Sequence, residues 1–139
     1  MALLLYNGSM EKSSQEEKPF SIRARIRSAN NAARGIGLFL RSTHNAWGYG
    51  FFILIVIYMG FTLRISTIEW IILILTMGMV ILAETINTAI EIDINLTSPD
   101  YHPYARDTKD VAAGAVLITI IIACLIGVLI FIPKIIVAL

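Results

Sequence analysis

Long apolar runs alternate with short polar breaks along the chain, and the charges collect in the breaks. Three runs stand out, at about 46–63, 68–94 and 111–137. A bilayer core of about 30 Å is crossed by roughly 20 helical residues, so each run is long enough to span. Three buried helices of a soluble bundle would need polar outer faces, which these runs lack. The pattern therefore predicts an all-α integral membrane protein with three transmembrane helices. Ahead of them, Ile22, Ile26, Ala29, Ala33, Ile36 and Leu40 recur at helical spacing within residues 20–42. Arg23, Arg27, Arg34 and Arg41 form a basic ribbon beside that stripe. This predicts an amphipathic helix lying on an anionic membrane surface, its arginines facing lipid head groups or nucleotide phosphates.

Residues 1–19 carry no such period and are expected to form a disordered tail, with either Met1 or Met10 as a possible start. The apolar opening Met1–Tyr6 is too short for a signal-peptide core. One membrane domain, residues 20–139, is expected to follow.

The breaks fix the topology. Arg64-Ile-Ser-Thr-Ile-Glu69 is short, so the first two spans are antiparallel neighbours, with Trp70 placed as an interfacial anchor. Ser98-Pro99-Asp100 signals a turn. Asp107, with Asp110 three residues on, resembles a helix N-cap. The small residues Ala112-Ala-Gly-Ala115 would let a helix or ligand approach closely. Of the eleven lysines and arginines, seven precede the first span, and Arg106 and Lys109 lie between the second and third. Only Arg64 and Lys134 fall on the other side. This bias puts the N-terminus and the 95–110 loop in the cytoplasm, where ATP is.

Composition agrees: 57% of the 139 residues are hydrophobic and 15% charged, against about 45–50% and 25% in soluble domains. A net charge of +1 gives no general attraction to nucleic acid. The single cysteine, Cys124, excludes an intramolecular disulfide framework.

Candidate chemistry sits in the second run. With Glu84 at zero and about 100° per residue, Asn87 falls near −60°, Thr88 near +40°, Glu91 near −20° and Asn95 near +20°. Asp93 falls on the opposite face. Glu84 lies about 10 Å deeper than Glu91 along the axis, where a carboxylate costs about 2.5–3.5 kcal/mol on insertion scales. Such a residue is expected to face a protein interior and to work, here as a proton acceptor. Glu91, nearer the cytoplasm, is placed to bind Mg²⁺ on a nucleotide, which needs only one or two carboxylates beside phosphate oxygens. Asn87, one turn from each, would orient either partner. Lys109 would neutralise a phosphate and Asp110 hold nucleotide or metal. Phosphoryl transfer asks mainly for positioning and charge neutralisation. No G-x-x-x-x-G-K-[ST] loop is present, so a nucleotide site must be built differently.

Glu84-Thr-Ile-Asn-Thr-Ala-Ile-Glu91 resembles the E-x-x-N-[ST]-A-[IL]-E signature of the prokaryotic diacylglycerol kinase family, which includes undecaprenol kinases. Ser98-Pro-Asp-Tyr-His-Pro103 and Lys109-Asp-Val-Ala-Ala-Gly-Ala-Val-Leu117 resemble its second and third blocks, in forms like the Gram-positive branch. The resemblance covers about residues 22–134. It implies a surface helix, three membrane helices and a homotrimer with sites shared between subunits, in the bacterial cytoplasmic membrane. It further implies ATP with Mg²⁺, Glu84 as catalytic base, Asn87 as active-site amide and Glu91 as metal ligand. Asp100, Tyr101, His102, Lys109 and Asp110 fall on nucleotide-binding positions, with Glu91 beside them. Two positions depart from the family pattern: Thr43 stands where a second metal-binding glutamate is usual, and Asn95 where an acid is usual. The lipid acceptor, undecaprenol or diacylglycerol, is left open. The rival classes are a small proton-coupled transporter built around one embedded glutamate and a catalytically inactive lipid-binding relative.

Overall fold

The computed structural model describes residues 21–42 and 46–138. Within them lie α1 (Ile22–Ser42), α2 (Ala46–Thr62), α3 (Thr67–Thr97) and α4 (Pro103–Ala138). The chain divides into two compact units, Met1–Arg34 and Gly35–Leu139. The expected tail over residues 1–19, and Thr43, lie outside the described residues.

In the first unit the start of α1 is capped by Ser21, whose Oγ accepts from the Ala24 amide at 3.4 Å. Ile22 and Ile26, the head of the expected stripe, are exposed. In the second unit the stripe continues through the exposed Ile36 and Leu40, while Phe39 is buried.

The second unit is built on α3 packed against α4. Two cross-links show that the pair is antiparallel and in constant register. At one end Lys134 Nζ lies 3.1 Å from Glu69 Oε2. At the other, Lys109 Nζ donates to Asn95 Oδ1 at 2.6 Å. Each step along α3 is thus matched by about one step back along α4. Leu73 meets Ile130 and Phe131 in a buried cluster that Ile65 completes, with Met59, Trp70 and Ile126 packed against it.

The α2–α3 connection is tight for local reasons. The Ile65 amide donates to the Gly60 carbonyl at 3.1 Å, and Arg64 takes a left-handed backbone with φ of 47°. Ser66 then caps α3: its Oγ accepts from the Glu69 amide at 3.3 Å, and Glu69 Oε2 accepts from the Ser66 amide at 2.6 Å. This reciprocal box satisfies two otherwise unpaired amides at the helix start. Gly60 is required by contact, because a Cβ there would stand 2.6 Å from the Trp70 ring. Trp70, expected as an interfacial anchor, also lies 5.2 Å from the Phe61 ring. It joins α2 to α3.

α4 begins earlier than the sequence suggests. Asp107 is not its N-cap; the helix starts at Pro103, and the Arg106 amide donates to the His102 carbonyl at 3.1 Å. Proline at the first helical position lacks an N–H that would go unpaired and has φ already set for the helix, so it outcompetes the later acidic start.

α3 and α4 are long and apolar enough to cross a bilayer, and α2 is apolar throughout but only 17 residues long. The protein is an all-helical membrane protein.

Candidate active site

Glu84 and Asn87 are buried at 6% and 8% exposure, and with Thr76 they are the buried polar residues of α3. The threonines of this stretch turn inward to their own helix. Thr76 donates to the Ile72 carbonyl at 2.6 Å, Thr85 to Ile81 at 2.8 Å and Thr88 to Glu84 at 2.9 Å. The acids and the amide do otherwise. Asn87 Nδ2 donates to Glu91 Oε1 at 3.2 Å, so Asn87 orients the outer glutamate. Its Oδ1 is buried and has no hydrogen-bond partner. An unpaired buried acceptor costs about 1–3 kcal/mol; a bound molecule carrying a hydroxyl would relieve that cost.

Glu84 has a partner that the sequence reasoning missed. The hydroxyl of Tyr49, half-buried on α2, lies close to the Glu84 carboxylate. A signal was present in the hairpin. Counted from the 63–66 turn, Tyr49 and Glu84 lie within about one helical turn of the same depth, close enough for a phenol to reach.

Beside Asn87 opens a groove of about 610 Å³ between α3 and α4, walled by Ala83, Ile86, Ile90, Val111, Ala112 and Ala115. Tyr104, Asp107 and Thr108 stand at its outer end. Apart from Asn87, its deeper wall is apolar, because the small residues of α4 leave room that larger side chains would fill.

The other expected residues are placed unequally. Lys109 comes to the α3 face through Asn95. Asp110 instead faces Arg106 at 3.5 Å along α4, both strongly exposed. Asp100 and Tyr101 are exposed in the α3–α4 connection, and the exposed His102 ring lies 5.6 Å from Tyr104. The described contacts therefore bring Lys109 to the α3 face that carries Glu84, Asn87 and Glu91, leave Asp100, Tyr101 and His102 on the connection, and turn Asp110 along α4. Asp93 is exposed.

Among the described residues no three His, Cys, Asp or Glu side chains converge as a metal cage. Glu91 offers a hard, exposed carboxylate already oriented by Asn87. That donor set fits a magnesium ion arriving on a nucleotide, because Mg²⁺ takes most of its ligands from water and phosphate.

A membrane-length helix carrying a buried acid, an orienting amide and an outer acid, with a lysine brought to it from α4, defines a membrane protein equipped for phosphoryl transfer. Residues 30–131 match the prokaryotic diacylglycerol kinase family, and the chain belongs to that family. It is a lipid kinase by class. It is 40% identical over 104 residues to an undecaprenol kinase of Bacillus subtilis, covering 75% of this chain and 85% of that protein. It is 39% identical over 72 residues to a diacylglycerol kinase of Synechocystis, covering 51% of this chain and 41% of that protein. A diacylglycerol kinase of Helicobacter pylori is 39% identical over 54 residues, covering 39% and 42%.

Proposed function

We propose that this chain transfers the γ-phosphoryl group of ATP to the hydroxyl of a membrane lipid at the cytoplasmic face of the bacterial inner membrane. The observation that carries the reading is Glu84, a carboxylate buried in a bilayer-length helix one turn from the buried amide of Asn87. In this reading α2, α3 and α4 are the three spans, and α1 lies on the surface. Three copies of the chain share their sites, with Asp100, Tyr101, His102 and Asp110 assigned to the nucleotide. Undecaprenol is the first acceptor to test, since the relative matched over most of its length bears that name; diacylglycerol is the second.

The residues divide the work by depth. Glu84 accepts the proton of the lipid hydroxyl as the oxygen attacks phosphorus, and Tyr49 fixes the carboxylate that receives it. Asn87 holds Glu91 with its amide, and its Oδ1 accepts from the hydroxyl as it enters, before the proton passes to Glu84. The groove beside it takes the hydrocarbon next to that hydroxyl. Glu91 holds the nucleotide's Mg²⁺. When bound, that ion neutralises charge on the transferring phosphate. Lys109 adds a second positive charge further out.

The test is transfer of labelled γ-phosphate in bilayers, with undecaprenol and diacylglycerol offered separately and Glu84→Gln as control. Labelled lipid from at least one acceptor is expected, with the Gln variant reduced by about a hundredfold or more, the range of a lost general base. No labelled lipid from either acceptor would refute the kinase reading, and unchanged turnover in Glu84→Gln would refute the role of that residue.

A further inference from the structure

Lys109 is tied across the seam between α3 and α4, and its partner is neutral. Its ammonium donates to Asn95 Oδ1 at 2.6 Å. A lysine stem is flexible, and its freedom must be surrendered before the charge can act at one place. The bond from Asn95 takes up much of that ordering in the protein itself. An amide oxygen engages one of the three ammonium N–H groups and leaves two to donate elsewhere. A carboxylate would hold the lysine equally well but would cancel its charge.

The surrounding acids leave that charge standing. Asp110, adjacent in sequence, is directed to Arg106 at 3.5 Å. Glu91, one turn before Asn95 on α3, receives the amide of Asn87 at 3.2 Å. Asp107 lines the outer end of the groove. Among the described residues no carboxylate stands within ion-pair distance of Lys109. The polar contacts are therefore ordered along α3: the buried Glu84, then Asn87 with Glu91, then Asn95 with Lys109.

We infer that Asn95 is a positioning residue, holding the Lys109 ammonium at the outer end of this face with its charge undischarged for a nucleotide phosphate. The inference rests on the lipid-kinase reading, and it gives position 95, where the family usually has an acid, a role on the lysine.

The experiment uses the full chain in lipid nanodiscs. Equilibrium binding of a non-hydrolysable ATP analogue with Mg²⁺ is measured separately from turnover, for wild type, Asn95→Ala, Asn95→Asp, Lys109→Met and the double variant Asn95→Ala/Lys109→Met. Asn95→Ala is expected to weaken analogue binding and raise the KM for ATP about five- to tenfold, the net worth of one ordinary hydrogen bond. Its kcat stays within about twofold, since the reacting atoms are untouched. Asn95→Asp holds the lysine but offsets its charge, so analogue binding stays below that of wild type, with the Mg²⁺ requirement unchanged. In the Lys109→Met background Asn95→Ala adds almost nothing, which a merely structural role of the amide would not produce. The inference is overturned if Asn95→Ala binds the analogue like wild type, or if its effect persists in full without Lys109. It is also overturned if Asn95→Asp lowers the Mg²⁺ requirement several-fold, which would make position 95 a metal position. Wild type that binds the analogue through Asn95 and Lys109 yet labels no lipid alcohol would refute the kinase reading and leave the inference standing.

Discussion

Replacing Asn87 by leucine separates folding from function. The side chain is 8% exposed, donates to Glu91 at 3.2 Å and keeps a buried, unpartnered Oδ1, and the residue lines an apolar groove. Leucine branches at the same carbon and occupies similar space. The substitution deletes one hydrogen bond to an exposed carboxylate, a net loss of about 0.5–1.5 kcal/mol. It also deletes a buried acceptor that costs about 1–3 kcal/mol while unpaired. The terms oppose each other, and the balance leaves stability unchanged or raised by about 1 kcal/mol. Turnover moves the other way. Glu91 loses its orienting donor and the lipid hydroxyl its acceptor, so kcat falls by about ten- to a hundredfold, the worth of one or two positioning contacts. Asn87→Asp is the companion: it puts a second carboxyl against Glu91 in a buried position and destabilises through like-charge repulsion and desolvation. Both are read by denaturant unfolding in mixed micelles beside labelled-phosphate transfer in bilayers. A Leu variant that loses more than about 1 kcal/mol would mean that Oδ1 has a structural partner, because burial without one cannot stabilise the fold. A Leu variant with wild-type turnover would remove Asn87 from the site.

Other substitutions probe separate parts. Tyr49→Phe removes the hydroxyl beside Glu84, and kcat is expected to fall about five- to tenfold with the KM for ATP unchanged; equal turnover would exclude Tyr49 from positioning the base. Gly60→Ala drives a Cβ to 2.6 Å from the Trp70 ring and should cost about 1–3 kcal/mol in unfolding measurements. Because Trp70 is about 21 Å from Glu84 along α3, the folded fraction should keep its specific activity. Ser66→Ala breaks the α3 capping box and should destabilise by about 0.5–2 kcal/mol, with activity retained at low temperature. Ala115→Phe fills the groove beside Asn87; the KM for lipid should rise several-fold while that for ATP stays fixed, and a change in the ATP value alone would assign the groove to the nucleotide.

What was legible in the sequence was what a single helix determines by itself. The apolar runs and the angular sector of Glu84, Asn87 and Glu91 follow from composition and a fixed turn per residue, and the structure buries Glu84 and Asn87 as that sector requires. Local chemistry misled where two local signals competed. Asp107 looked like a cap, but Pro103 starts α4 earlier at no cost in hydrogen bonds. What was not legible was pairing between helices, because an isolated polar residue in an apolar run carries no period that points to its partner. Tyr49 was one such residue, and the pairing of Lys109 with Asn95 was another. Both have the same remedy. Once one contact fixes an antiparallel helix pair, the rest follow by counting: Glu69 and Asn95 are 26 residues apart on α3, and their partners Lys134 and Lys109 are 25 apart on α4. Asn95 shows why this matters for function. As a position in one helix it reads only as a missing acid; as half of a pair it supplies a neutral holder for a lysine.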